Sequence, residues 1–68
     1  MQIRVQYWRG TRECEGTAST YRGAMRIAAR NSNAFDPTFW DGDRKLIDDG
    51  HGLAYEEEAS QGRTLYAV

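Results

Sequence analysis

A chain of 68 residues has room for one domain, residues 1–68, and one small core; a domain of this size buries only about 60% of the surface its unfolded chain exposes. Its single cysteine, Cys14, excludes an internal disulfide and fits a reducing cytoplasm better than secretion. Nine basic against ten acidic residues leave a formal charge of −1, and no apolar run approaches the roughly 20 residues of a membrane helix. The composition therefore predicts a cytoplasmic globular domain with no membrane partner, and the 40% hydrophobic content argues against wholesale disorder.

Residues 2–8 alternate. Ile3, Val5 and Tyr7 point one way and Gln2, Arg4, Gln6 and Trp8 the other, the period of a half-buried strand. Arg9-Gly10-Thr11 reads as a turn, and Arg12 to Gly16 as a short returning strand with Cys14 facing in. Thr17 to Thr20 is a cluster of helix caps, with Ser19 or Thr17 placed to accept from an unpaired N–H of the first turn. From Ser19 to about Asn31 the pattern is helical. Tyr21, Ala24, Met25, Ala28 and Ala29 form one apolar stripe, with Ile27 at its border. Asn31-Ser32-Asn33 is expected to end the helix in a left-handed cap.

Turn signals punctuate the rest: Asp36-Pro37, Asp41-Gly42, Asp49-Gly50, His51-Gly52 and Gln61-Gly62. Between them lie "TFW", "RKLI", "LAYEEE" and "RTLYAV", read as a meander of short antiparallel strands. The predicted fold is α+β, a single small domain with one helix packed on an antiparallel sheet in the order β(β)αβββ. Tyr7, Tyr21, Tyr55 and Phe35 are expected in the core, with Trp40 closing its edge.

Charge is segregated along the chain. Residues 1–35 hold six arginines against Glu13 and Glu15, whereas residues 36–68 hold eight carboxylates against Arg44, Lys45 and Arg63. Arg22, Arg26 and Arg30 are spaced four apart on one helix stripe. Like charges at that spacing repel by about 0.2–0.5 kcal/mol per pair, and Arg22 also opposes the helix dipole in the first turn. The stripe is either a plain solvated face or a surface for an anionic partner, phosphate or acidic protein, which guanidinium groups engage by paired hydrogen bonds. Asp48, Asp49, Glu56, Glu57 and Glu58 are the candidates for contact with a basic protein surface. As the end of a strand, "EEE" would put Glu56 and Glu58 on one face and Glu57 on the other. Trp8, on the polar face of the first strand, is either a stacking platform for bases, a contact for a protein partner, or the edge of the core.

Catalytic patterns are missing. "DGDRKLIDDGHG" opens like a calcium loop, but its twelfth position is Gly52 rather than a bidentate glutamate. His51 stands alone beside Asp48 and Asp49, and Cys14 shows no base partner. No phosphate-binding loop or dinucleotide fingerprint occurs. The expectation is a protein without catalytic residues, metal or cofactor.

One resemblance adds to this. The succession "EGTAST", "AMRIAAR", "GLAYEEE" resembles small phage-encoded anti-CRISPR proteins that inhibit type I CRISPR–Cas surveillance complexes. The similarity runs loosely over residues 15–58, through Ala24, Arg26, Ile27 and Ala28 and then Gly52, Leu53, Ala54, Tyr55 and Glu56. The similar inhibitor is lysine-rich and basic, and this chain is not. The resemblance implies a small β/α inhibitor that binds protein subunits of the complex and blocks target DNA recognition or cleavage without being an enzyme; basic residues of some such inhibitors also touch DNA. The alternative is a small nucleic-acid-binding protein using the arginine stripe and Trp8. A third expectation is a homo-oligomer assembled through an exposed sheet edge.

Overall fold

Alternation in the first strand decides where the core lies. A computed structural model describes residues 2–31 and 35–68. Strand β1 (Ile3–Arg9) buries Ile3, Val5 and Tyr7 on one face and leaves Arg4, Gln6 and Trp8 half-buried on the other. It turns at Gly10-Thr11 into β2 (Arg12–Ala18), paired antiparallel from Ile3↔Ala18 to Arg9↔Arg12. Helix α1 (Tyr21–Ala28) follows. The chain then returns to the free side of β1 as β3 (Thr38–Asp41) and continues through β4 (Arg44–Asp48) and β5 (Gly52–Tyr55). A 3₁₀ segment, Glu56–Gln61, leads into β6 (Tyr66–Ala67). One antiparallel sheet results, in the order β2-β1-β3-β4-β5-β6, with the helix on one face. The protein is a two-layer α+β domain, and none of its described helices is long and apolar enough to cross a membrane.

The core fills the space between helix and sheet. Ala24 and Ile27 from α1 meet Ile3, Val5 and Tyr7 from β1, with Leu46 and Leu53 from β4 and β5. Phe39, Tyr55, Tyr66, Tyr21, Met25 and Cys14 pack around it, half-buried. The helix can sit this close because β2 carries Gly16: a Cβ there would stand 3.1 Å from Ile27 Cγ2.

Several local expectations are corrected. The helix is shorter than residues 19–31 and is capped by Thr20, whose Oγ1 accepts from the Gly23 N–H at 3.1 Å. Neither Thr17 nor Ser19 serves: β2 runs two residues further than expected, and Thr17 pairs with Arg4 in the ladder. The helix does not end in a left-handed cap at Asn31, because Arg30 and Asn31 donate to the carbonyls of Ile27 and Ala28 and tighten the last turn instead; Ser32 and Asn33 lie outside the described residues. "EEE" does not prolong β5. It forms the first turn of the 3₁₀ segment, where carboxylates sit favourably against the unpaired N–H groups, so the expected alternation of Glu56–Glu58 is lost. Phe35 is not in the core but 60% exposed.

Gly52 holds the far edge together. Its φ of +147° is open to glycine alone, and a Cβ there would stand 1.9 Å from the Tyr66 carbonyl oxygen. Gly52→Ala is therefore expected to detach β6 and destabilise the fold by about 3 kcal/mol or more. Chemical denaturation checks it; a midpoint close to that of the unmodified protein would contradict this account of the β5–β6 edge.

Candidate functional site

The two charged sets found in the sequence behave oppositely. The acidic set is engaged internally. Arg44 pairs with Glu57 and lies 3.6 Å from Glu58, which also meets Arg63 at 3.0 Å; Lys45 lies 3.6 Å from Glu56. The Arg44 guanidinium stacks 3.4 Å above the Tyr55 ring, and the Tyr55 hydroxyl donates to Asp41 at 2.6 Å. The hydrogen bond to Arg44 holds the Glu57 carboxyl below its ordinary range and raises the guanidinium in turn. Asp48 accepts from the Tyr21 hydroxyl at 2.7 Å and from the Gly50 N–H at 2.9 Å, tying the helix start to the β4–β5 turn. Asp49 accepts from Thr64 at 2.6 Å and from the His51 N–H at 2.8 Å.

Nor do these carboxylates form one patch. Asp48 ends β4 and Asp49 follows it, whereas Glu56–Glu58 sit beside its beginning, next to Arg44 and Lys45. The length of the strand, about 13 Å at 3.3 Å per residue, separates the two groups.

Among the described residues the basic set is unengaged. Arg22 and Arg26 are exposed on the side of α1 away from the buried Ala24 and Ile27, and Arg30 is exposed in the turn that follows the helix. Among the described residues no ion pair, side-chain hydrogen bond or ring contact involves their guanidinium groups. Two further arginines share that condition, Arg9 and Arg12, which the sequence reading did not select. They are exposed and stand directly opposite each other across the β1–β2 turn. The signal was present in "RGTR": two arginines flanking a two-residue turn must oppose each other, an arrangement that disfavours like charges.

Trp8 falls elsewhere. It lies on the sheet face opposite the helix, its ring 5.7 Å from that of Phe35. On the same face, Arg4 reaches over Trp40 at 5.4 Å from the ring centre, lies 3.5 Å from Glu15 and donates to the Gly42 carbonyl at 3.2 Å. The sheet thus stands between Trp8 and the arginine stripe. Trp40 is half-buried there, its indole N–H buried without an acceptor among the described residues.

The remaining chemistry is sparse. Among the described residues no three His, Cys, Asp or Glu side chains gather as metal ligands, and no cavity opens. Cys14 is half-buried against the core, its sulfur 3.9 Å from the Arg12 carbonyl oxygen. Compared with family models, curated proteins and solved structures, the chain matches none.

Hydrogen bonds from Thr64 and the His51 N–H hold the Asp49 carboxyl below its ordinary value of 3.8, as Arg44 does for Glu57 from 4.5. A depressed folded value contributes stability above the unfolded one and loses it as pH falls through the folded one. The melting temperature is therefore expected to hold from pH 7 to about 5 and to decline below about 4. Thr64→Val should flatten part of that decline, read by thermal melts at stepped pH; an unaltered slope in the variant would remove Asp49 as a source.

Proposed function

We propose that the protein is a phage or mobile-element inhibitor that binds protein subunits of a type I CRISPR–Cas surveillance complex in the bacterial cytoplasm. It acts by stoichiometric binding, without catalysis or cofactor, and blocks target DNA recognition or cleavage. The resemblance over residues 15–58 supplies the partner class. The observation that carries the docking surface is the contrast in pairing: Glu56, Glu57 and Glu58 each lie within ion-pair distance of a basic side chain, while Arg22, Arg26 and Arg30 pair with none of the described residues.

Exposed like charges without internal partners raise the energy of the free protein and lower it on meeting an anionic surface. The arginine face is accordingly the docking surface on this reading, and its counterpart is an acidic patch of a subunit. Asp48, Asp49 and Glu56–Glu58 then serve mainly to hold the β4–β5 hairpin and its flanking segments.

In a DNA-cleavage assay with a reconstituted type I complex, the unmodified protein is expected to inhibit at near-equal stoichiometry. The R22E/R26E/R30E variant should lose inhibition by about 100-fold, whereas E56Q/E57Q/E58Q should retain it. Full inhibition by a folded triple-arginine variant would remove the arginine face; no inhibition by the unmodified protein would remove the CRISPR reading. The same unpaired guanidinium groups favour a second reading, direct binding of nucleic acid.

A further inference from the structure

The helix has a direction relative to the hairpin beneath it, and that direction joins two sets of arginines. A Cβ on Gly23 would stand 3.2 Å from the Ala18 Cβ, and Ile27 lies over Gly16. The helix therefore starts above the end of β2 and runs back along it, antiparallel. One more turn carries Arg30 toward the level of Cys14 and Arg12, where β2 begins. Alternation along β1 and β2 places Arg9 and Arg12 on the helix side, in line with Tyr7 and Cys14, which pair with each other. Arg22, Arg26, Arg30, Arg12 and Arg9 thus form one row, from the helix start to the tip of the hairpin.

We infer that this row binds the phosphate backbone of double-stranded nucleic acid, without reading its sequence. This rests on the second reading of the arginine face, direct binding of nucleic acid, and names its form: a duplex backbone in place of the acidic subunit patch. Three features point to a duplex. From Arg22 on the helix to Arg30 in the turn after it, the row spans about 12 Å at roughly 1.5 Å per residue, a length over which a duplex presents about seven phosphate charges. The fold accepts like-charge repulsion twice, along the helix and across the hairpin turn at Arg9↔Arg12, and a dense line of phosphates relieves both at once. Finally, single-strand binding relies on aromatic rings interleaved with the basic groups, and the two tryptophans lie on the other side of the sheet. Tyr21, on the helix, has its hydroxyl committed to Asp48.

Carboxylates outnumber the basic groups in residues 36–68; Asp48 stands at the helix start, holding the Tyr21 hydroxyl, while Glu56, Glu57 and Glu58 are engaged by Arg44, Lys45 and Arg63. These carboxylates limit affinity and orient the protein with its arginines toward the backbone. Binding is therefore expected at the non-specific level, a Kd of about 10⁻⁴–10⁻⁶ M at physiological salt.

The test is fluorescence anisotropy of the purified full chain with a labelled 20-base-pair DNA duplex across a potassium chloride series. Five guanidinium groups acting together give a slope of log K against log salt of about −4.5. Neutralising the hairpin pair, R9Q/R12Q, should reduce the slope by about 2, and R22Q/R26Q/R30Q by about 3. Trp8→Ala should leave it unchanged. A slope unaffected by R9Q/R12Q would break the continuous row. Preference for a single strand that disappears in the Trp8→Ala variant would overturn the duplex assignment. Absence of duplex binding would overturn the inference outright; should CRISPR inhibition persist in that case and still depend on Arg22, Arg26 and Arg30, the face binds acidic protein and only the proposed function stands.

Discussion

The contact of Ile27 with the bare backbone of Gly16 sets the arrangement on which the other features rest. It fixes how closely the helix approaches the sheet and where along β2 it lies. With Ala24 and Ile27 directed inward, the opposite side of the helix must face solvent, and that side carries Arg22 and Arg26, with Arg30 exposed in the turn that follows. A larger residue at position 16 would have to lift or shift the helix, and overpacking of this kind costs about 1–3 kcal/mol in a close-packed core. In a domain this small there is little burial elsewhere to offset it.

The same approach divides the surface. The sheet has helix on one face only, so its other face remains open to a thin polar and aromatic layer: Arg4 against Trp40, Trp8 against Phe35, Gln6 against Glu13. Around the β4–β5 hairpin the charges neutralise one another, with Arg44, Lys45 and Arg63 drawn to the three glutamates of the 3₁₀ segment. Exposed ion pairs of this kind add little stability each. Their effect here is on availability, since a carboxylate already holding an arginine offers less to a partner than a guanidinium that holds nothing.

The near-neutral total charge therefore conceals a polarised molecule. The helix and the hairpin tip present cations without counterions among the described residues, and the far hairpin presents carboxylates that are mostly engaged. Tyr21 links the two regions, since its hydroxyl donates from the first turn of the helix to Asp48 beside the β4–β5 turn. Such a layout suits orientation on a polyanion better than a general electrostatic attraction to one.

Much of this was legible in the residues by themselves. Period-two alternation placed Ile3, Val5 and Tyr7 in the core, and the 3.6-residue pattern placed Ala24 inside and the arginines outside, because both are local consequences of backbone geometry. The antiparallel α+β architecture followed from the same periodicities and the Asp-Gly turns. Local pattern misjudged the segments that long-range contacts control. Thr17 was drawn into the ladder by Arg4, leaving Thr20 to cap the helix. Glu56–Glu58 left the strand to form a helical turn beside Arg44 and Lys45. Which charges are engaged and which are free depends on partners distant in sequence, such as Arg44 with Glu57 and Asp49 with Thr64. The sequence determined the first strand, the body of the helix and their inward faces, because dihedral periodicity is local. Only the tertiary structure decided which carboxylates are paired and which arginines hold no partner among the described residues, because pairing is a property of distances that folding alone creates.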